Sequence, residues 1–425
     1  MNNQKLELVA DFYEYTMANG YFNKNMEDRI AYFDVFFRKV PDEGGYAIVA
    51  GLEQIINYIR NLSFDEEDIS YLRKQNKFSE EFLNYLENFR FTGDIWAIPE
   101  GTVVFPNEPL ITVKAPIIQA QLLETMLLLT TNHQSLIATK TSRIVKEAQG
   151  RPVMEFGARR AHGINAAVEG ARAAIIGGAV GTSCTLSAKE FNVPASGTMA
   201  HSWIQSFDSE YEAFKAYAEL YPDDCTFLID TYNTIESGLP NAIKVFNEVL
   251  KPKGYRPKAV RLDSGDLAYL SKKVRKILDE AGYEDCQICA TNSLDEYLIK
   301  SLVEQDAKID LFGVGENLIT AKSEPVFGGV YKLVALEKDK KIVPKIKVSE
   351  NTAKVTNPSF KKVYRFYDNE TKKAIADVIT LADEIIDERE YMIFDPQNPW
   401  KKKVLKDYSI RLLQEKIFEE RKINI

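Results

Sequence analysis

Cysteine is scarce in this chain and forms no framework where it occurs. The four cysteines stand at 184, 225, 286 and 289, without the pairing pattern of a secreted disulfide scaffold. Cys286 and Cys289 look like half a zinc or redox motif, but CQICATN reads as a strand, where residues three apart face opposite sides. No second C-x-x-C exists, so both read as core. No apolar run approaches bilayer length, and the start of the chain lacks the basic, apolar, small-residue order of an export signal; a cytoplasmic protein with no membrane partner is expected. A surplus of positive charge is also missing: 54 Lys and Arg face 62 Asp and Glu, a net charge of −8. That balance argues against nucleic-acid partners and for small molecules, with any cationic site confined locally. G-x-G-x-x-G and Walker loops are absent; the nearest match, Gly313-Val314-Gly315, continues Glu316-Asn317-Leu318.

What is present is an ordinary globular composition, 45% hydrophobic and 27% charged, in a chain long enough for two domains. DFYEYTMANGYF near the start has a helical pattern in which Phe12, Tyr15, Met17 and Ala18 can face a core. Residues 30–39 read as a strand, 46–61 as a helix, and 64–90 as a solvated helical pair. Pro99, Pro106 and Pro109 break residues 93–113 into short runs, which predicts a small sheet of edge strands. Residues 117–149 read as helical, with the Met126–Leu129 run buried. After Phe327-Gly328-Gly329 an alternating pattern predicts antiparallel hairpins packed on the N-terminal sheet, then strand plus a terminal helix. The expected organisation is α/β: residues 1–115 and 326–425 form a mixed α/β sheet domain from both termini, and 116–325 an irregular, incomplete β/α barrel.

The barrel reading rests on seven apolar runs with polar tails, at Phe156-Gly157, Gly181-Thr182-Ser183, Ser196-Gly197-Thr198, Asp230-Thr231, Asp263-Ser264-Gly265, Thr291-Asn292-Ser293 and Gly313-Val314-Gly315. An open, doubly wound sheet is the alternative. In either, reactive groups gather past the carboxyl ends of the strands. Those tails supply Arg159, Arg160, Arg261, Asp230, Asp263, Asp266, His201, Asn292 and the hydroxyls of Ser183, Ser196, Thr198, Ser202, Thr231 and Thr291. The set suits a phosphorylated sugar: arginine forks match phosphate oxygens, a Gly-rich loop can cradle a phosphate, and carboxylates can hold Mg²⁺ on a pyrophosphate. Bland readings stand beside it. DSGD at 263–266 is also a good helix N-cap, Arg159-Arg160 can be surface charge, and His201 can be a packed imidazole. No tail carries a lysine, which speaks against a Schiff-base lyase; a non-enzymatic scaffold would not cluster ionisable groups there.

The strings DFYEYTM, EFGARRAHG, GTMAHSW, LIDTYNT, RLDSGDL, ATNSLDE, FGVGENLIT and GGVYKLV, in that order from residue 11 to about 334, resemble those of the nicotinate phosphoribosyltransferase family. The resemblance implies transfer of phosphoribose from phosphoribosyl pyrophosphate to nicotinate, coupled to ATP hydrolysis, with Mg²⁺ and no tightly bound organic cofactor. It implies that Phe156 and Tyr13 stack on the pyridine ring, with Tyr13 supplied by the second chain of a homodimer. Arg159 and Arg261 would meet the ligand carboxylate or phosphates. Asp230 and Asp263 would hold ribose hydroxyls or Mg²⁺-pyrophosphate, Gly313 and Gly315 the 5′-phosphate, and Thr198, Ser202 and Asn292 further substrate atoms. His201 resembles the histidine that ATP phosphorylates. Ser183 stands where nicotinamide-using relatives carry an acidic residue, so nicotinate is the expected base and nicotinamide the alternative. Glu316 departs from the family, which often has a small hydroxyl residue there.

Overall fold

The computed structural model describes residues 5–348, 350, 355–387, 389–396, 398–419 and 422–423. The chain divides into two compact units, one made of residues up to 135 and from 326 on, the other Leu136–Pro325. The first division lies beyond the expected 115/116 position, inside the helix Glu124–Glu147. In that helix Met126 and Leu127 are buried as expected, whereas Leu129 is exposed.

The first unit is organised around the strand Ile30–Phe37, whose run IAYFDVFF is aromatic and β-branched and is buried from Ala31 to Phe37. It pairs antiparallel with Gly329–Lys338 on one side and Ile111–Pro116 on the other. Its one charged residue, Asp34, accepts from Thr112 Oγ1 at 2.7 Å and meets Lys361 Nζ at 2.8 Å, both charges buried. A buried carboxylate is tolerated only with such compensation. The full sheet has seven strands, in the order Lys341–Pro344, Gly329–Lys338, Ile30–Phe37, Ile111–Pro116, Asp94–Ala97, Glu415–Glu419, Lys422–Ile423. This corrects two expectations. Asp94–Ala97 and Ile111–Pro116 are interior strands of a large sheet, because Pro99, Pro106 and Pro109 fall in the loops between strands. Among the described residues the C-terminal segment forms strands rather than a helix. EKIFE at 415–419 alternates, and its strand packs Phe418 on Phe91 with ring centroids 5.4 Å apart. The N-terminal helix Phe12–Phe22 buries Tyr15 and Ala18, but Phe12 and Met17, expected in the core, are 45% and 39% exposed.

The second unit holds six strands: β1 Val153–Glu155, β2 Gly181–Thr182, β3 Thr226–Leu228, β4 Ala259–Leu262, β5 Gln287–Ala290 and β6 Leu311–Val314. Every pairing is parallel and the order is β2-β1-β6-β5-β4-β3. Neighbours in the sheet are neighbours in the chain, except that β6 returns to pair with β1. The expected seventh strand is reduced to one parallel bridge, Thr182 to Ala195, in a segment interrupted by Pro194 and Gly197. Helices Ile164–Ile176, Leu267–Glu280 and Glu296–Glu304 fill connections between strands. The fold is therefore mixed α/β, with a parallel sheet in one unit and antiparallel sheets in the other. Parallel strands place all six carboxyl ends on one edge.

Candidate functional site

Four chain segments converge on that edge through charged hydrogen bonds. Asp230, two residues past β3, is 2% exposed at its side chain and uses both oxygens. Oδ1 lies 3.3 Å from His201 Nε2; Oδ2 accepts the Asp263 N–H at 3.1 Å and the Ser264 hydroxyl. Arg261, on β4, spreads its guanidinium over three segments. Nε donates to Thr291 Oγ1 at 3.0 Å, Nη1 to Thr198 Oγ1 at 3.1 Å and to the Met199 carbonyl at 3.3 Å, and Nη2 to Asp263 Oδ1 at 2.9 Å. The Thr291 hydroxyl also donates to Asp263 Oδ1. A planar fork of five donors is the side chain suited to such a junction. His201, Asp230, Asp263, Arg261 and Thr198 thus form one connected set, which also takes in Ser264 and Thr291.

The two readings of DSGD separate by residue. Asp266 caps the helix Leu267–Glu280 by accepting the Tyr269 N–H at 3.0 Å, while Asp263 and Ser264 turn into the network. Gly265 makes the turn possible at φ +78°. At the end of β5, Asn292 and Ser293 both hold positive φ, +85° and +52°. Two successive non-glycine residues there store backbone strain at the edge where chemistry is expected.

Phe156, half-buried past β1, donates its N–H to Val314 O at 2.8 Å. A Cβ on Gly313 would come within 2.6 and 2.7 Å of its ring, so that glycine makes room for the aromatic side chain. Gly313 is buried within β6 and Gly315 follows it; Glu316 then pairs with Lys322 at 2.7 Å and Arg160 at 3.7 Å. The Lys322 ammonium holds the Glu316 carboxyl below the usual range, so the departing residue is an ion-paired anion. Arg159, Ser183, Ser202 and Asn292 are exposed along the same edge without joining the connected set. Tyr13 belongs to the other unit. Two residues of this edge, Ser264 and Glu155, carry no strong signal in the sequence. Glu155 is fully buried at the end of β1, and its only signal was an acidic residue before Phe-Gly.

All four cysteines are free and buried, and burial pushes the Cys286 and Cys289 thiols up to about 12. Thiols held that high are inert at neutral pH. Among the described residues no cluster of three or more His, Cys, Asp or Glu is arranged for a metal ion, and no helix is long and apolar enough to cross a membrane.

The nicotinate phosphoribosyltransferase family model matches residues 152–379, and the models of that family's N-terminal and C-terminal domains match 8–132 and 360–424. The chain belongs to the nicotinate phosphoribosyltransferase family. A nicotinate phosphoribosyltransferase of Bacillus subtilis is 46% identical over 419 residues, 98% of this chain and 85% of the relative. One of Homo sapiens is 30% identical over 436 residues, 89% and 80% of the two chains. The crystal structure of human nicotinic acid phosphoribosyltransferase superposes with a TM-score of 0.86 at 26% identity, covering 97% of this chain and 90% of that one. Membership makes the chain an enzyme of NAD biosynthesis and a transferase. A nicotinate-nucleotide pyrophosphorylase of Pyrococcus furiosus shares the fold, with a TM-score of 0.74 at 24% identity over 99% and 90% of the chains.

Proposed function

We propose that this chain transfers phosphoribose from phosphoribosyl pyrophosphate to the ring nitrogen of nicotinate, breaking the C1–O bond to pyrophosphate and forming the C1–N bond of nicotinate mononucleotide. The observation that carries the reading is the connected set of Asp230, Asp263, Arg261 and His201 on one strand edge. The transition state is an oxocarbenium-like sugar leaving a polyanion, so fixed charges and positioning serve it better than proton transfer. Asp263 suits the sugar hydroxyls or the Mg²⁺-pyrophosphate, with Asp230, buried and engaged through both oxygens, holding Asp263 and His201 in place; Arg261 and Arg159 suit the anionic groups, and Gly313 and Gly315 the 5′-phosphate, with Thr198, Ser202 and Asn292 at the rim. Phe156 and a partner chain's Tyr13 are assigned to the two faces of the pyridine ring, in a homodimer with shared sites.

Both protein partners of the Asp263 carboxylate use Oδ1, which leaves Oδ2 for a cation. Mg²⁺ typically takes one or two carboxylates plus substrate phosphates, so the residues fit it. When bound it would neutralise charge on the pyrophosphate. His201 keeps one ring nitrogen on Asp230 and has its side chain 40% exposed, which suits a phosphoryl acceptor for ATP. The cyclic strand order, open between β2 and β3, supports an incomplete β/α barrel. A cytoplasmic setting goes with these soluble substrates.

Nicotinate is favoured over nicotinamide because Ser183, exposed past β2, brings no carboxylate to the ring substituent. Pyrophosphate release measured with nicotinate, nicotinamide and quinolinate, each with and without ATP, tests the reading. Release is expected with nicotinate and stimulated by ATP, and Ser183→Asp should weaken nicotinate use. Equal efficiency with nicotinate and nicotinamide would overturn the base assignment.

A further inference from the structure

Glu155 is buried at the last position of β1, and the chemistry above gives it no task. Both of its carboxylate oxygens are engaged, by different strand ends. Oε1 accepts the N–H of Gly157, and Oε2 accepts the Thr182 hydroxyl at 2.6 Å. Its backbone carbonyl accepts the Ser183 N–H at 2.9 Å. Thr182 Oγ1 in turn accepts the Cys184 N–H at 2.9 Å, so one hydroxyl is donor to Glu155 and acceptor for the next turn. Phe156 lies between Glu155 and Gly157, and Ser183 between Thr182 and Cys184. The carboxylate therefore grips the chain on the far side of Phe156 and on the near side of Ser183. Gly157 is fixed from behind as well: a Cβ there would stand 2.6 Å from Ile319 Cβ and 2.7 Å from the Gly315 carbonyl oxygen.

Burial alone pushes this carboxyl up, against the hydrogen bonds from Thr182 and Gly157. An apolar residue would fill the same space without that cost, but it would leave the Gly157 N–H unpaired and the two strand ends unconnected. We propose that Glu155 is a positioning residue for the pyridine base, setting the spacing between Phe156 and Ser183 so that ring stacking and contact with the ring substituent are made together. The proposal rests on the assignment of Phe156 and Ser183 to the base.

The test is steady-state kinetics on Glu155→Gln, Thr182→Val and Thr182→Ser, with nicotinate and phosphoribosyl pyrophosphate varied separately and the melting temperature of each variant measured. A glutamine amide accepts from one of the two donors and not both; valine removes the hydroxyl; serine restores it. The nicotinate KM should rise about tenfold in Glu155→Gln and Thr182→Val while the other KM stays within about twofold, and Thr182→Ser should return it toward the wild-type value. Phe156→Ala and Ser183→Ala serve as reporters. If they raise the nicotinate KM and folded Glu155→Gln and Thr182→Val do not, the positioning role is overturned and the base assignment stands. If neither reporter raises it, the base assignment itself falls, and the proposal with it. Both KM values rising together in Thr182→Val, without recovery in Thr182→Ser, would mark a general structural effect and also overturn the role. Should Glu155→Gln fail to fold, the Thr182 pair decides.

Discussion

Arg261 and His201 join the strand edge in different ways, and each has a distinct way to fail. Arg261 donates in three directions, to Thr291, to Thr198 with Met199, and to Asp263. A lysine ammonium keeps the charge but cannot span those directions, so Arg261→Lys should lower kcat/KM by about 100-fold while leaving the melting temperature near wild type. A loss below about fivefold in a steady-state assay would show that charge alone suffices there. His201 is bound to the set only through Asp230, and its side chain is 40% exposed. Removing it should therefore disturb packing little. His201→Ala is expected to retain slow, ATP-independent transfer while losing substrate-stimulated ATP hydrolysis. Both rates and the melting temperature, measured on the same protein, check this; a folded variant that still hydrolyses ATP in step with transfer would rule His201 out as the phosphoryl carrier.

Elements set the backbone on which these side chains stand. The helical turn Thr234–Gly238 packs against the stretch carrying Asp230 so closely that a Cβ on Gly238 would lie 1.9 Å from the Ile229 carbonyl oxygen. The obstruction is backbone and has little room to move. Gly238→Ala should cost about 3 kcal/mol in a urea titration, the upper end for overpacking, and should depress activity in the surviving folded protein. In the first unit, Glu14 Oε1 accepts from the Asp11 and Thr125 N–H groups at 3.2 Å each and from the Thr125 hydroxyl, while Oε2 is buried without a partner. Burial pushes this carboxyl up to about 7. The folded protein thus favours the protonated form. That stabilisation is complete below the ordinary glutamate value of about 4.3 and is lost as pH rises through about 7. The melting temperature should fall across that window, and Glu14→Gln should flatten the fall. Legibility from sequence follows the same line between local and distant causes. The polar tails after β1, β3, β4 and β5 were readable because an apolar run and its ending are local, and so was the double meaning of DSGD. That Asp263 leaves the cap to Asp266 depends on Asp230, 33 residues away in sequence, which no local pattern records. The sheet around Asp94–Ala97 is hidden from the local sequence for the same reason, since its outer neighbour comes from Glu415–Glu419. Phe12 and Met17 share the helical spacing of Tyr15 and Ala18 and still stay exposed, Phe12 with its ring set edge-on against Phe78, because an aromatic stripe does not say which of its members the core accepts.

That outward face bears on the whole molecule. Tyr13 is 44% exposed, and Met17, one helical turn on along the same face, is 39% exposed, an apolar pair that a second chain would cover. With Tyr13 in one unit and Asp263 in the other, the homodimer proposed above predicts that a site takes Tyr13 from one protomer and Asp263 from its partner. Chains carrying Tyr13→Ala or Asp263→Ala should each be inactive as pure dimers. In a mixed dimer, the protomer that keeps Asp263 receives an intact Tyr13 from its partner, so one of the two sites is whole and the other carries both lesions. Equal mixing makes about half the dimers mixed, and about a quarter of wild-type transfer activity should return. Were Tyr13 and Asp263 to serve the same chain's site, every site in the mixture would lack one of them. Mixed dimers verified by two different affinity tags, assayed for pyrophosphate release, separate the cases: no recovery would refute the shared site, and a monomer by sedimentation at assay concentration would refute it without any mixing.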